Sequence, residues 1–453
     1  MDSPRNIYRQ KVDFTALALQ DSAFKEFLNT KGQLDFSNPD AVRQLTISLL
    51  RLDFGLEVVL PGDRLCPPVP NRLNYILWMQ DLVDCTKDDC HEGFDPDRDV
   101  FGLDIGTGSS CVYPLLGVTQ RKRWKFVATD IDEKNLKYAR ENVARNNLQS
   151  RIQVVETTPK GPLIPLDGEI PLKMLDFTMC NPPFYESQEE MLQLAEEKKK
   201  EPLSVCTGAE AEMVTPGGEF AFVGKMIEES LRLREAVKWY TSMLGKRSSL
   251  LSLIEELQRL GNQNWAVTEF IQGDKTKRWA IAWSWKDIRP TMVGDILTSI
   301  HAGFVLPIDH RIQAVARGIS NIPKRYLPFP SEFHFSQPCK SVDSLIDTID
   351  NEIKSFQIPW EWDPQRSSGL GFTMENAWSR QARRKRQQQN ASKDELNEVE
   401  DRFDTDKAVF GFIIQVRRLS PENVDVTVRW VKGVDSVIFE SFCGMLRRKL
   451  EGR

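Results

Sequence analysis

Gly102–Leu103–Asp104–Ile105–Gly106–Thr107–Gly108–Ser109–Ser110 closes an apolar run that begins at Val100 and leads into a second, helix-forming one. An acidic residue, then two glycines one residue apart, marks a strand giving way to a helix around a ligand. Glycine carries no Cβ there, so the backbone can approach that ligand closely. A nicotinamide-binding loop would carry a third glycine at Gly-x-Gly-x-x-Gly spacing, and that position holds Cys111. Asp-x-Gly-x-Gly suits S-adenosylmethionine instead, with Asp104, Gly106 and Gly108 lying against its amino-acid part.

Working outward, short apolar runs alternate with amphipathic ones. Strands are expected at Val100–Ile105, Lys125–Asp130, Ile152–Glu156, Leu175–Cys180, Trp239–Leu244, Ala266–Ile271 and Arg278–Trp285. Helices are expected at Lys134–Asn147, Glu219–Arg234 and Ser248–Leu260. Such alternation predicts an α/β fold with a parallel sheet covered on both faces. The last two strands are joined by a short turn containing Gly273 and should form an antiparallel hairpin at the sheet edge. The second strand ends in Asp130–Ile131–Asp132. Asp130 is expected on ribose hydroxyls and Asp132 at the cap of the following helix.

The fourth strand runs into Asn181–Pro182–Pro183–Phe184. Two prolines cannot continue a buried strand, since they donate no hydrogen bond and fix φ. They hold Asn181 rigidly at the carboxyl end of the sheet, where open α/β sheets place ligands. An exocyclic amine offers two hydrogens, which the Asn181 amide oxygen and the Pro182 carbonyl can accept. Phe184 offers a flat face for a flipped base. These four residues are the catalytic candidates, and Asn181 also borders the cofactor.

The chain has 453 residues, enough for two or three domains. Its 40% hydrophobic and 28% charged content excludes a collagen-like or wholly disordered protein. A net charge of −5 is unusual for a chain coated in nucleic acid. The charge is segregated, however: Arg366–Asn390 holds six basic residues and one acidic, and Ala391–Lys407 three basic and seven acidic. No run reaches the roughly 18 apolar residues of a membrane span, and Met1–Gln10 lacks the apolar core of a secretory signal. Eight scattered cysteines read as reduced, intracellular usage. Cys85, Cys90 and His91 lie close together, but no second pair at zinc-like spacing follows, so no metal is expected.

Together these residues resemble the methyltransferase-like protein 16 family of adenosine N6-methyltransferases. The resemblance spans about residues 35–285. It includes LTISLLRLDFG (45–55), VPNRLNYILW (69–78), DIGTGSSCVYPLL (104–116), CNPPF (180–184), WYTSMLGK (239–246) and TEFIQGDKTKRWAIAWS (268–284). It implies a Rossmann-like, seven-stranded class I S-adenosylmethionine-dependent methyltransferase, located in the nucleus or the cytoplasm. It also implies that Arg72, Gly106, Ser110 and Asp130 contact the cofactor, that Asn181–Phe184 hold the adenine, and that Arg278 contacts RNA. Lys275 stands where the family often has arginine, which keeps a phosphate-binding charge without the bidentate fork. The expected partner is a structured RNA, U6 small nuclear RNA, with neither DNA nor a membrane. A protein-glutamine methyltransferase would share Asn-Pro-Pro but usually carries tyrosine where Phe184 stands. The alternative class is an RNA-binding or assembly factor that keeps the fold without turnover.

Four segments are expected: an RNA-gripping helical extension over 1–90, the methyltransferase domain over 91–288, a loop-rich connector over 289–340, and a small α+β RNA-binding domain over 341–453. The last resembles a kinase-associated-type domain, with helices near Ser341–Phe356 and Asp435–Leu450 and strands near Val409–Arg417 and Asp425–Val431. Residues 380–407, polar and without apolar runs, read as disordered. Basic clusters recur at Arg121–Lys125, Lys198–Lys200, Lys275–Arg278, Arg380–Arg386 and Arg447–Lys449; within the fourth, Arg383, Arg384 and Arg386 are RNA-contact candidates. Tyr185–Glu212 is read as a lid over the base.

Overall fold

The structure, a computed structural model, describes residues 5–90, 94–168, 172–190, 208–272, 276–291, 322–338, 341–391 and 405–452. It divides into two compact units, the first built from residues 1–83, 94–286 and 307–327, the second from 84–93, 287–306 and 328–453.

The first unit opens with helices α1 (Phe14–Gln20), α2 (Ser22–Lys25), α3 (Pro39–Phe54) and α4 (Val69–Cys85). There follow β1 (Val100–Ile105), α5 (Val112–Gln120), β2 (Trp124–Asp130), α6 (Glu133–Arg145), β3 (Ile152–Glu156) and β4 (Leu175–Cys180). The short α7 (Glu210–Met213) precedes α8 (Gly218–Leu233), β5 (Val237–Leu244), α9 (Arg247–Arg259), β6 (Trp265–Gln272) and β7 (Thr276–Trp283). The seven strands lie in the order β3-β2-β1-β4-β5-β7-β6. All neighbours are parallel except β7, which runs antiparallel to both β5 and β6. The expected edge hairpin is present, with its returning strand inserted between β5 and β6.

Alternate residues of each strand feed two cores, as a sheet covered on both faces requires. Phe126 and Ala128 face one cluster, and Val127 between them faces the other. Helices α1–α4 pack into the first of these clusters with α5 and α6. The N-terminal helices therefore share a core with the sheet instead of forming a segment of their own. Helix α4 is buried nearly all round, with twelve buried residues that include Arg72, Asn74 and Gln80, and Pro70 sits in its first turn, where a missing N–H costs nothing. Asp21 separates α1 from α2 by capping the second, accepting from Ala23 N and Phe24 N.

The strand order turns around between β1 and β4, which pair with Ile105 opposite Cys180. Ile105 is also opposite Thr129 of β2. Gly106, Asn181 and the Asp130 end of β2 thus leave the sheet side by side, at the crevice where such sheets hold ligands.

The second unit contains β8 (Glu332–Pro338), α10 (Val342–Lys354), β9 (Trp360–Asp363), β10 (Ser368–Thr373), α11 (Arg380–Ala391), β11 (Phe410–Arg418), β12 (Asn423–Lys432) and α12 (Ser436–Leu450). Its antiparallel sheet runs β8-β12-β11-β10-β9 around a core that includes Phe410, Phe412, Trp430 and Phe442. Three features depart from expectation. Residues 332–338 lie in the supposed connector, yet Phe333 and Phe335 alternate along a strand paired to β12. Strands β9 and β10 are short and rich in tryptophan and glycine, so period-two alternation is too brief to read. Residues 380–391 form a helix, not a disordered stretch: arginine, lysine, glutamine and alanine are good helix formers without an apolar stripe, and the Ser379 hydroxyl accepts from Ala382 N at 3.1 Å. The rest of that stretch, residues 392–404, lies outside the described residues. Among the described residues no helix is long and apolar enough to cross a membrane.

Candidate active site

The loop after β1 depends on its two glycines. Gly106 has φ +71° and Gly108 φ +65°, both in the left-handed region, and a Cβ at Gly106 would meet nothing within 4 Å. The loop thus leaves open space at its tip, and side chains there would fill it. Asp130 fastens the loop by accepting from Gly108 N at 2.8 Å and from Asp132 N at 2.9 Å. A carboxylate has about four lone-pair positions, so two remain for ribose hydroxyls. Burial raises the pKa of Asp130 while these backbone bonds lower it. Asp132 caps α6 through Asn135 N at 2.8 Å, the cap expected of it, and pairs with Arg64 at 3.1 Å.

Several polar atoms around this loop are buried with no hydrogen-bond partner among the described residues: both Asp104 carboxylate oxygens, Thr107 Oγ1, Ser109 Oγ, Arg72 Nε and Asn181 Oδ1. Leaving one such group unpaired costs about 1–3 kcal/mol, and six atoms gathered in one crevice mark a place prepared for a polar ligand. Asp104 is fully buried, and burial pushes its carboxyl up to about 7; the Asp130 charge adds to this and the Arg72 guanidinium opposes it. Thr107 lies close by without closing a hydrogen bond to it. Arg72 comes from the first turn of α4, and its Nη1 donates to Tyr113 Oη at 2.7 Å. Its guanidinium carbon lies 5.3 Å from the Tyr113 ring centre. One buried anion and one buried cation with open bonding positions fit the ammonium and carboxylate of an amino acid, and hence the methionine part of S-adenosylmethionine. Ser110 is also buried, directly before Cys111, whose φ of +52° starts α5.

Asn181 follows the fully buried β4, and Pro182 and Pro183 stop the strand. Phe184 is set from below by Gly245, where a Cβ would come within 2.9 Å of its ring. The Gly245 turn is pinned by Glu219, a buried carboxylate accepting from Gly245 N at 2.5 Å and Lys246 N at 2.8 Å. On Phe184 lies Arg278, its guanidinium carbon 5.4 Å from the ring centre. Burial lowers the Arg278 pKa. Beyond the motif, Tyr185 N donates to Met213 O and Thr215 N to Tyr185 O, each at 3.0 Å. The two ends of the expected lid are therefore tied together beside the site. Its middle, including Lys198–Lys200, lies outside the described residues, as do Lys275, Gly273 and His91.

Three contributors escaped sequence reasoning. Glu219 and Gly245 act through a backbone turn and carry no motif. Glu212 of α7 accepts from Leu65 N at 2.9 Å and Ala209 N at 2.8 Å, and its Oε1 lies 3.8 Å from where a Gly108 Cβ would be. It sits in a polar stretch that gives no sign of this. In the second unit Arg383 and Arg384 are exposed on α11, whereas Arg386 is half-buried, donating to Ala377 O at 2.6 Å with its guanidinium over Phe356.

A family model described as RNA methyltransferase matches residues 2–287. The chain is 33% identical over 423 residues to the U6 small nuclear RNA (adenine-(43)-N(6))-methyltransferase of Schizosaccharomyces pombe, covering 92% of this chain and 95% of that one. It is 43% identical over 290 residues to the human RNA N(6)-adenosine-methyltransferase METTL16, covering 62% of this chain and 50% of that one, so it spans about half the length of the human relative. Among solved structures, the human METTL16 catalytic domain in complex with MAT2A 3′UTR hairpin 1 matches with a TM-score of 0.56 and 42% identity, over 63% of this chain and 96% of that one. The N-terminal domain of human METTL16 in complex with SAH matches with a TM-score of 0.52 and 41% identity, over 63% of this chain and 99% of that one.

Proposed function

Because the chain belongs to the methyltransferase-like protein 16 family of RNA methyltransferases, we propose that it methylates N6 of a flipped adenosine in a structured RNA, U6 small nuclear RNA. The observation that carries this is the buried, partnerless Asn181 Oδ1 on a strand end paired with the strand leading to Gly106. S-adenosylmethionine supplies an electrophilic methyl group when bound there. Asp104 would hold its ammonium, Arg72 its carboxylate, Asp130 its ribose, with Gly106, Gly108 and Ser110 forming the cradle.

Asn181 Oδ1 and the Pro182 carbonyl accept the two hydrogens of the adenine amine. Those bonds turn the nitrogen lone pair out of conjugation with the ring and fix its direction. With the cofactor bound, the nitrogen would take the methyl carbon as the bond from that carbon to the sulfonium sulfur breaks, its electron pair staying on sulfur; the cationic amine would then lose a proton to solvent, so no strong side-chain base is needed. Pro182 and Pro183 keep the two acceptors from relaxing away, and Phe184, set over Gly245, stacks on the base and excludes water from one face. Arg278, which has no carboxylate partner within hydrogen-bond reach among the described residues, is placed to meet an RNA phosphate beside that base. The exposed arginines Arg383 and Arg384, with Lys275, add sequence-independent grip. A U6 RNA substrate implies a nuclear location.

Asn181→Ala tests the reading. Methyl transfer should fall by at least about a thousandfold, as expected when both positioning and transition-state hydrogen bonding are lost. RNA affinity and S-adenosylhomocysteine affinity should remain within about twofold. Undiminished turnover would overturn it.

A further inference from the structure

Glu212 of α7 is half-buried beside the glycine loop, and its two carboxylate oxygens are in different states. Oε2 accepts from Leu65 N at 2.9 Å and from Ala209 N at 2.8 Å. Oε1 accepts from no described residue. Among the described residues, and the chain neighbours of Gly108 aside, it is the one atom within 4 Å of where a Gly108 Cβ would stand. The carboxylate is fixed by one oxygen and turns the other to the loop. Its anchor is tied in turn to the end of β2. Arg64, next to Leu65, donates from Nε to Asn135 at 3.0 Å and from Nη2 to Asp132 at 3.1 Å. Asp132 stands two residues after Asp130, whose Oδ2 accepts from Gly108 N at 2.8 Å. Gly108 therefore has a carboxylate on two sides, Asp130 at its N–H and Glu212 where a side chain would be.

Two carboxylates make a binding place only where something beside them is left unmet. Thr107 Oγ1 and Ser109 Oγ, on either side of Gly108, are buried without a hydrogen-bond partner among the described residues, their side chains belonging to residues 5% and 1% exposed. Unmet buried hydroxyls flanking a glycine mark the space it leaves as the place of a polar group. Charge selects that group. Burial raises the pKa of Glu212 and the Asp130 charge adds to this, against the two backbone bonds and the Arg64 charge. Like-charged oxygens repel a carboxylate or a phosphate, and an amino-acid ammonium is met by the fully buried Asp104. Two adjacent hydroxyls bring two donors and no charge. Resting on the methyl-transfer reading above, we infer that Glu212 is a second ribose-binding residue: one ribose hydroxyl of S-adenosylmethionine donates to Glu212 Oε1 and the other to Asp130. The cofactor is then held from outside the sheet as well as from its edge, at the point where Leu65 and Ala209 meet.

The experiment is calorimetry on the full chain with S-adenosylhomocysteine and its 2′-deoxy and 3′-deoxy analogues, which needs neither RNA nor turnover. Wild type should lose about tenfold in affinity for each missing hydroxyl. Glu212→Gln can keep the ties to Leu65 and Ala209 through its amide oxygen, and it then turns an NH₂ group to the ribose. It should weaken S-adenosylhomocysteine binding about tenfold, as expected when a charge-assisted acceptor is lost. The penalty for one deoxy analogue should shrink to within about twofold, while the penalty for the other, which belongs to Asp130, stays. Glu212→Ala, which also releases Leu65 and Ala209, should bind more weakly still and erase the same single penalty. Wild-type affinity with both penalties intact in Glu212→Gln would overturn the inference. Equal loss of both penalties also overturns it, since Glu212 would then only support the loop, and so does a wild type indifferent to either missing hydroxyl. Failure of the wild type to bind S-adenosylhomocysteine at all would instead count against the reading on which the inference rests.

Discussion

The carboxyl edge of the seven-stranded sheet and the interior of the five-stranded one treat buried polarity in opposite ways. At the first, Asp104, Thr107, Ser109 and Asn181 are sealed from water with bonding positions open. In the second unit, two buried cations are answered by the protein itself. Lys432 pairs with Asp287 at 2.8 Å, and Arg289 donates to the Gly433 carbonyl at 2.9 Å while its guanidinium lies 4.2 Å from the Trp430 ring centre. An unmet desolvation cost signals a missing ligand, whereas a met one signals scaffolding. The first unit is shaped for chemistry inside, and the second carries its free charge outside, on α11.

That contrast can be broken most forcefully in the scaffold. Trp430→Ala removes a ring that is 1% exposed and should cost the second unit about 3–5 kcal/mol. Hydrogen exchange would show β11 and β12 losing protection while β1 amides keep theirs; equal losses in both sheets would erase the distinction. Next in size, Asp104→Ala should weaken S-adenosylhomocysteine binding by roughly a hundredfold, as expected for removing a buried charged partner. Calorimetry measures this, and unchanged affinity would mean that the open acceptors of Asp104 serve no ligand.

A smaller effect follows from pH. Burial lifts Asp104 from 3.8 to about 7, so between those values the folded protein holds a proton that the unfolded chain has released. Stability contributed by Asp104 is greatest below 3.8 and is lost as pH rises through 7. A ligand ammonium favours the ionised form, so cofactor affinity should rise about tenfold from pH 6 to pH 8, with proton release on binding. Asp104→Asn should abolish this slope; persistence of the slope would assign it to another group. Smallest of all, neutralising Arg383 and Arg384 to Gln should lower the slope of log affinity against log salt by about 1–2 and weaken RNA binding only a few-fold. Cofactor affinity should not change.

Legibility in the sequence followed the same divide. The strands of the first sheet could be placed within about two residues because each is of ordinary length and is set off from the next by a helix, by the loop between β3 and β4, or by the short turn between β6 and β7. The Asp104 loop and Asn181–Phe184 were readable because all the chemistry of each lies within a few consecutive positions. The sharing of one core by α1–α4 and the sheet was not readable, since it depends on contacts between residues far apart, such as Leu17 and Phe24 joining the cluster of Phe126 and Phe177. Nor were β9 and β10, where Gly369 and Gly371 make room beneath Trp360 and Phe412 and leave almost no alternation to detect. The supports of the site, Glu219 and Glu212, bind backbone N–H groups, and backbone has no sequence signature.

The pairing of Tyr185 with Met213 and Thr215 has a consequence for how this protein can change. The chain on either side of residues 186–212 is held at one place, so a change of length within that stretch that spares Glu212 leaves the end of β4, and with it Asn181 and its prolines, in register.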